Sequence, residues 1–573
     1  NELSRAEVRR INVSELFPND ELDLTESTIL RTLDLAYYPS ERGEYNFDTT
    51  NVNPDGTFSD PENRWAGITR PMTVTDFENS NIEYIQFWMM DPYENYSITN
   101  TEGLPLGVNP QDPSNQVGEL YFNLGNVSED ILKDNRKMYE NGLPEDGGDD
   151  NTTPTDWGKV PTNQSLLYAF DDDDDHRLVQ DIGLDGLSDS QELLKFSSYV
   201  SAVPSLQTDP ASDNYMFYKS SEYDDMNASI LTRYKKYNRT QGNSPTANMS
   251  PEDYSTAATQ YPDTEDINKD QTMSTVEGYF QYKVSLNKPD LVVGQNYIVD
   301  QRITTNTLAN GGTQNTTWYQ FRIPIAEGTA IGGINNFHSI RFMRMFLTQF
   351  KMPVVLRFGQ MEMVRGEWRR YKYELADGNV PIIQLDNFES GVVNIEENDG
   401  RSPIPYVLPP GIERERLQGT TTVQLQNEQS LVLKVRDLMS GEGRSLFKNV
   451  SFDMRMFKKL QMFIHAESLV NQAEVADDEM VAIIRIGSDL SENYYQIEKP
   501  LKITAFGTST ASDVWPEENE LNVDLEALKK LKLERFEEGV ASNVLYPIPL
   551  VGEPVEYRIR VKGNPNLGKI KTI

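Results

Sequence analysis

One pattern occurs three times along this chain. Phe77 leads into Ile82-Glu-Tyr84-Ile85-Gln-Phe87-Trp88, Phe337 into Ile340-Arg-Phe342-Met343-Arg-Met345-Phe346, and Phe457 into Leu460-Gln-Met462-Phe463-Ile464-His465. After a variable loop, each copy is followed by a second apolar run that closes on glycine: Leu120-Tyr-Phe-Asn-Leu-Gly125, Val354-Val-Leu-Arg-Phe-Gly359 and Ile483-Ile-Arg-Ile-Gly487. A strand, loop and strand-Gly unit recurring in this way is the signature of a tandem array. The other Val-, Ile-, Tyr-, Phe- and Thr-rich runs are short and separated by Gly, Pro, Asn and Asp clusters, as in β-sandwiches. The fold class expected is therefore mainly β: tandem, jelly-roll-like sandwich units with long ordered loops and a few short helices.

With 573 residues the chain is too long for one core. The expected division is a first sandwich over 1–144, an acidic, loop-rich excursion over 145–274, a second sandwich over 275–400, and a third over 401–573. Leu33–Tyr38, Tyr279–Val284, Trp318–Ile323 and Trp368–Tyr371 read as strands. Ser128–Tyr139 reads as a helix, with acidic residues in its first turn and Gly142 as its stop. Val523–Phe536 reads as a second helix, striped by Leu525, Leu528, Leu531 and Leu533. No charge-free apolar run approaches a membrane helix, although weakly alternating barrel hairpins remain compatible with the pattern. Both ends read as cut from something longer.

The 53 basic and 89 acidic residues leave a net charge of −36. Such a chain repels phosphate backbones, so nucleic acid is a poor partner, while divalent cations and basic surfaces suit it. With no cysteine, disulfides, thiolate metal sites and cysteine nucleophiles are excluded. The three histidines, His176, His338 and His465, are too dispersed for a histidine-rich zinc site, and His465 sits in an apolar run as a packed histidine would. No carboxylate pair, triad or phosphate loop stands out, so no catalytic residue is expected and the chain reads as a non-enzyme.

Calcium is the cofactor that the spacing suggests, in a structural role. Asp266, Asn268, Asp270, Thr272, Ser274 and Glu277 occupy positions 1, 3, 5, 7, 9 and 12 of a twelve-residue calcium loop, with Thr272 offering its carbonyl. Gln271 replaces the glycine of the sharp turn. A weaker copy places Asp181, Asp185, Leu187, Asp189 and Glu192 at positions 1, 5, 7, 9 and 12 with Gly186 at the turn. Gly183 leaves position 3 empty, and Asp173 or Asp175 is the expected substitute. Two such ions would pin an excursion otherwise too polar to order.

Longer phrases carry a resemblance. Leu35-Ala-Tyr-Tyr-Pro-Ser-Glu-Arg-Gly43, Trp65-Ala-Gly-Ile-Thr-Arg70, Phe87-Trp-Met-Met-Asp-Pro92, Tyr121-Phe-Asn-Leu-Gly-Asn-Val-Ser-Glu-Asp130, Tyr139-Glu-Asn-Gly-Leu-Pro144, Gln180-Asp-Ile-Gly-Leu-Asp-Gly-Leu187 and Gly563-Asn-Pro-Asn-Leu567 resemble the SprA/Sov family. That resemblance implies an internal portion of the giant outer-membrane translocon of type IX secretion, linked to gliding motility. It implies a conducting β-barrel elsewhere in the protein, cargo with C-terminal sorting domains, and barrel-type shuttle and plug partners. It implies an outer-membrane or cell-surface location. The reading to weigh against it is a surface adhesin or carbohydrate-binding sandwich array. Exposed aromatics in a row would favour the adhesin; aromatics buried between sheets would favour a scaffold.

Overall fold

The computed structural model describes residues 2–18, 27–96, 108–137, 143–163, 166, 168–171, 173–214, 216, 218–235, 265–366, 368–375, 380–382, 387–415, 425–547 and 556–573. They form two compact units, Asn1–Ile11 with Leu30–Val364, and Asn12–Ile29 with Arg365–Ile573.

The first unit holds strands β1 (Thr32–Tyr37), β2 (Trp65–Pro71), β3 (Ile82–Met90), β4 (Glu119–Asn126), β5 (Thr152–Pro154), β6 (Lys159–Pro161), β7 (Gly278–Ser285), β8 (Ile298–Thr307), β9 (Thr313–Pro324), β10 (Thr329–Ile331), β11 (Phe342–Thr348) and β12 (Val354–Arg365). Two five-stranded sheets, ordered β1-β12-β3-β9-β8 and β10-β7-β4-β11-β2, enclose one core. Period-2 alternation selects what points inward: Phe280, Tyr282 and Val284 of β7, and Leu120, Phe122 and Leu124 of β4. Phe87 is the hub. Its ring stacks on Phe321 of the neighbouring strand at 5.0 Å, lies 5.4 Å from Phe358, and crosses to Phe122 of the facing sheet at 5.4 Å. The other face of β3 is covered too, so Trp88 and Met90 are buried. On that side Arg357 of β12 donates to the Ala6 and Arg9 carbonyls at 2.9 and 2.7 Å and forks onto Asp34, tying down the start of the chain.

The repeat does not build separate sandwiches from 1–144 and 275–400. The strand of the first copy, β3, and the glycine-ended strand of the second, β12, are neighbours in one sheet; β4 and β11 are neighbours in the other. Exchanging β1, β2, β3 and β4 for β7, β9, β11 and β12 converts the order β1-β12-β3-β9 into β7-β4-β11-β2. Two four-stranded halves thus lend each other strands. Trp65 to Pro71 and Trp318 to Pro324, spanning β2 and the end of β9, keep identical Trp–Pro spacing in the two halves. Phe77 meets its counterpart directly, its N–H donating to the Phe337 carbonyl at 2.9 Å. A local repeat specifies which face each strand buries, not which partner it pairs with.

The third copy lies in the other unit and is not equivalent. Phe77 is fully buried, whereas Phe457 is 53% exposed. The second unit contains β13 (Arg369–Arg370), β14 (Phe388–Asn394), β15 (Gln429–Val435), β16 (Leu446–Phe447), β17 (Asn449–Phe452), β18 (Lys459–Met462), β19 (Val481–Gly487), β20 (Tyr494–Pro500), β21 (Leu521–Asp524), β22 (Arg558–Lys562) and β23 (Ile570–Thr572). Its main sheet runs β17-β23-β19-β20-β22, and β18 pairs apart from it with β21. The expected strand Trp368–Tyr371 shrinks to β13, and the boundary expected at 400 falls at 364. The helix Leu525–Glu537 starts where the Asp524 carboxylate accepts the Glu526 N–H, so Val523 belongs to β21. Leu525, Leu528 and Leu531 pack with Ile486, Tyr495 and Ile497 of the sheet; Leu533, expected on that stripe, is exposed.

Glu467 is a partly buried carboxylate of this unit held by two basic side chains. Arg401 forks onto it and His465 Nε2 lies 3.2 Å from its Oε2, while His465 Nδ1 faces the Val514 carbonyl oxygen at 2.7 Å. Burial pushes Glu467 up, but the hydrogen bonds from His465 and Arg401 outweigh it and hold the carboxyl down at about 2. A depressed carboxyl stabilises the fold above its unfolded value and loses that contribution as pH falls through the folded one. Unfolding monitored at Trp515, whose ring lies 5.9 Å from His465, is expected to lose on the order of 3 kcal/mol between pH ~4.5 and ~2. Glu467→Gln is expected to lower stability at pH 7 and flatten that acid limb; an unchanged limb would count against this assignment.

Candidate metal centre

The excursion is shaped by short helices, among them Asp174–Gln180, Asp189–Lys195 and Ser197–Ala202, and by the β5–β6 hairpin. Between the first two helices the chain turns through two glycines. Gly186, at φ +72, sits so near the Lys159 carbonyl that a Cβ would lie 2.2 Å from it. Gly183, at φ +68, leaves the space where a Cβ would meet Asp213 Oδ2 at 2.0 Å. Position 3 of this loop is therefore filled from outside by Asp213. Asp173 instead caps the helix Asp174–Gln180, accepting from the Asp175 and His176 N–H groups.

Three buried carboxylates converge here. Asp185, Glu192 and Asp213 are 0%, 1% and 7% exposed and each offers an oxygen within 4.8 Å of the others. Asp189, Glu192 and Asp209 converge in the same way, sharing Glu192. Asp185 Oδ1 accepts the Leu187 N–H at 2.9 Å, Glu192 Oε2 the Ala211 N–H at 2.7 Å, and Asp213 Oδ2 the Tyr45 hydroxyl at 3.0 Å. Asp185 Oδ2 is buried with no hydrogen-bond partner. Burial, reinforced by Asp213 and Glu192, pushes the Asp185 carboxyl well above the usual range; burial foremost pushes Glu192 up to about 7 and Asp213 up to about 8. Asp181 belongs to neither group. Its own carboxyl is lifted by burial to about 7, against the pull of Arg177. A third convergence, Glu145, Asp171 and His176, lies nearer solvent, where His176 itself faces both carboxylates.

The loop from Asp266 to Glu277 is organised differently. Asp266 accepts the Asp270 and Gln271 N–H groups at 3.1 and 2.7 Å, and Lys137 stands 3.2 Å away. Arg341 donates to Asp270 at 2.7 Å, Arg344 lies 3.4 Å from Glu277, and Glu277 also accepts the Ser128 N–H. Asn268 donates to Asp270, and Thr272 gives both its N–H and its hydroxyl to the same carboxylate. The Ser274 N–H goes to Glu129. Gln271 does adopt the positive φ, +67, that the missing glycine would have supplied. Protein cations thus stand beside Asp266, Asp270 and Glu277, the positions where an ion was expected.

A second motif, absent from the expectations above, explains this. Glu129-Asp-Ile-Leu-Lys-Asp134 and Glu265-Asp-Ile-Asn-Lys-Asp270 are near-copies. Asp130 accepts the Asp134 and Asn135 N–H groups as Asp266 accepts those of Asp270 and Gln271. Asn135, at φ +60, matches Gln271. The glutamates cross over. Glu129 Oε1 accepts the Ile267 and Asn268 N–H groups at 2.8 and 3.3 Å, and its Oε2 that of Ser274; Glu265 Oε1 accepts those of Ile131 and Leu132 at 2.6 and 3.0 Å. Both glutamates are 0% exposed. Burial raises Glu129 above the usual carboxylate range despite its three amides. The helix expected over Ser128–Tyr139 does not form in the described residues to 137. Acids that suited its first turn are spent on the clasp, and Asn135 breaks the helical path. The signal was a hexapeptide repeated with five of its six residues identical, hidden because its copies straddle the excursion.

Glu129→Ala removes the acceptor of three N–H groups, of which that of Ser274 is buried, and Glu265→Ala that of two, of which that of Leu132 is buried; each buried group left unpaired costs about 1–3 kcal/mol. Hydrogen–deuterium exchange is expected to speed up about 100-fold or more over 129–137 and 265–274 in either variant, with β14 unaffected. Because each glutamate holds the other's loop, the double variant should add little to either single one. Full additivity would show two independent loops.

No curated protein matches the chain. A family model described as motility related/secretion protein, SprA_N, matches residues 195–573. That span takes in the last strands of the sandwich, the Asp266 loop, Asp209 and Asp213, and nearly all of the second unit. On this evidence the chain belongs to the SprA_N family of motility related/secretion proteins.

Proposed function

We propose that this chain is a non-catalytic portion of an outer-membrane protein-translocation channel of the type IX secretion kind. It would shape or cap the passage and contact partner proteins at the outer membrane or cell surface. The family match over residues 195–573 carries the reading. The partners would be the β-barrel in the remainder of the translocon, cargo with C-terminal sorting domains, and barrel-type shuttle and plug proteins. The aromatic distribution supports a scaffold over an adhesin: Trp88, Trp318, Phe87, Phe122, Phe321 and Phe358 are buried. The net charge of −36 supports a hydrated wall to which passing chains do not adhere. No described helix is long and apolar enough to cross a membrane.

The excursion is the natural contact region, since long ordered loops are seldom kept without a role. It also presents apolar side chains to solvent: Leu178, Leu194 and Met226 are 72%, 80% and 60% exposed. The triple variant Leu178→Glu, Leu194→Glu, Met226→Glu should change stability little, because exposed substitutions stay near ±0.5 kcal/mol each. In cells it is expected to retain sorting-domain cargo in the periplasm. Normal export by the folded variant, together with binding on a glycan array, would favour the carbohydrate-binding alternative.

A further inference from the structure

We propose that Asp185, Glu192 and Asp213 bind one hard divalent cation, calcium by the chemistry of the donors, with Asp189 and Asp209 adjoining through the shared Glu192. The ligand set differs from the one that loop spacing suggests: Asp213 enters through the gap at Gly183, and Asp181 drops out. The three oxygens lie within 4.8 Å of one another, close enough to share one ion bound at about 2.4 Å. Carboxylate oxygens alone suit calcium or magnesium over softer metals.

Two observations separate this cluster from a patch of solvated acids. Asp185 is wholly buried and its Oδ2 has no hydrogen-bond partner. Among the described residues, no lysine, arginine or histidine forms an ion pair with Asp185, Glu192 or Asp213. Lys195 is near enough to act on Asp185, yet its ammonium donates to the Thr155 carbonyl at 2.9 Å. Buried charge without a counter-charge is costly, and a bound cation supplies one. The ion would join the 183–187 turn, the helix Asp189–Lys195 and the 209–213 segment, with Tyr45 bracing Asp213 from the sandwich side. By contrast, Asp266, Asp270 and Glu277 already have Lys137, Arg341 and Arg344 beside them.

This inference goes beyond the proposed function, and its test needs only the purified full chain, so either can fail alone. The chelator-treated protein is titrated with calcium, magnesium and terbium chlorides. Terbium emission sensitised by Tyr45 is expected, with displacement by calcium and a calcium-dependent rise in Tm. Asp213→Asn and Asp185→Asn should each weaken calcium binding about 100-fold with unchanged circular dichroism. Should either misfold, Tyr45→Phe serves instead: it should cut terbium emission while calcium still raises Tm. Asp266→Asn should leave binding intact. The proposal is overturned if no ion alters Tm or emission up to about 10 mM, beyond the weakest calcium modules, or if binding is lost in Asp266→Asn and kept in Asp213→Asn. Tighter magnesium than calcium binding would overturn the assignment to calcium.

Discussion

A carboxylate wholly removed from water must find donors, and Glu129 and Glu265 find theirs in each other's loops. That exchange joins the two ends of the excursion. The chain leaves the sandwich after β4 and re-enters it at β7, and the two glutamates close the neck between those points. Closing a long loop costs only logarithmically more than closing a short one. A handful of charge-assisted hydrogen bonds can therefore hold an insertion of well over a hundred residues. The acidic cluster braced by Tyr45 lies in the part of the chain between those two loops.

Composition and alternation made the β class readable, since Phe280, Tyr282 and Val284 point inward as period 2 requires. The Leu525 helix was readable because its leucines repeat at helical spacing; Leu533 misled because it falls off the buried face. Pairing was not readable. The repeat marks β3 and β11 as alike, but pattern carries no information on which strands become neighbours. Glu129 and Asp130 look like good first-turn acids for a helix, and only the second copy at Glu265 shows where their charge goes.

At the candidate metal site, the spacing Asp185 to Glu192 was legible and Asp213 was not. Gly183 looked like a defect because a twelve-residue template has no place for a ligand arriving from about thirty residues downstream. In the Asp266 loop the template matched better, yet it cannot register Lys137, Arg341 and Arg344, which come from distant segments. Side-chain spacing describes what a loop can offer; the neighbours decide what is left to offer.

The exchanged strands set a timetable for the chain's own synthesis. β1 and β3 do not touch each other; β12, made more than three hundred residues after β1, fills the place between them. At the usual pace of translation that interval is roughly 15–70 s. Through it, Phe87 lacks the Phe358 edge, and the apolar faces of the early strands have no final neighbour. Such late, long-range pairing folds slowly and leaves strand edges open in the meantime. A protein assembled this way keeps its apolar strand faces waiting through that window, and its first strands can be finished only by its later ones.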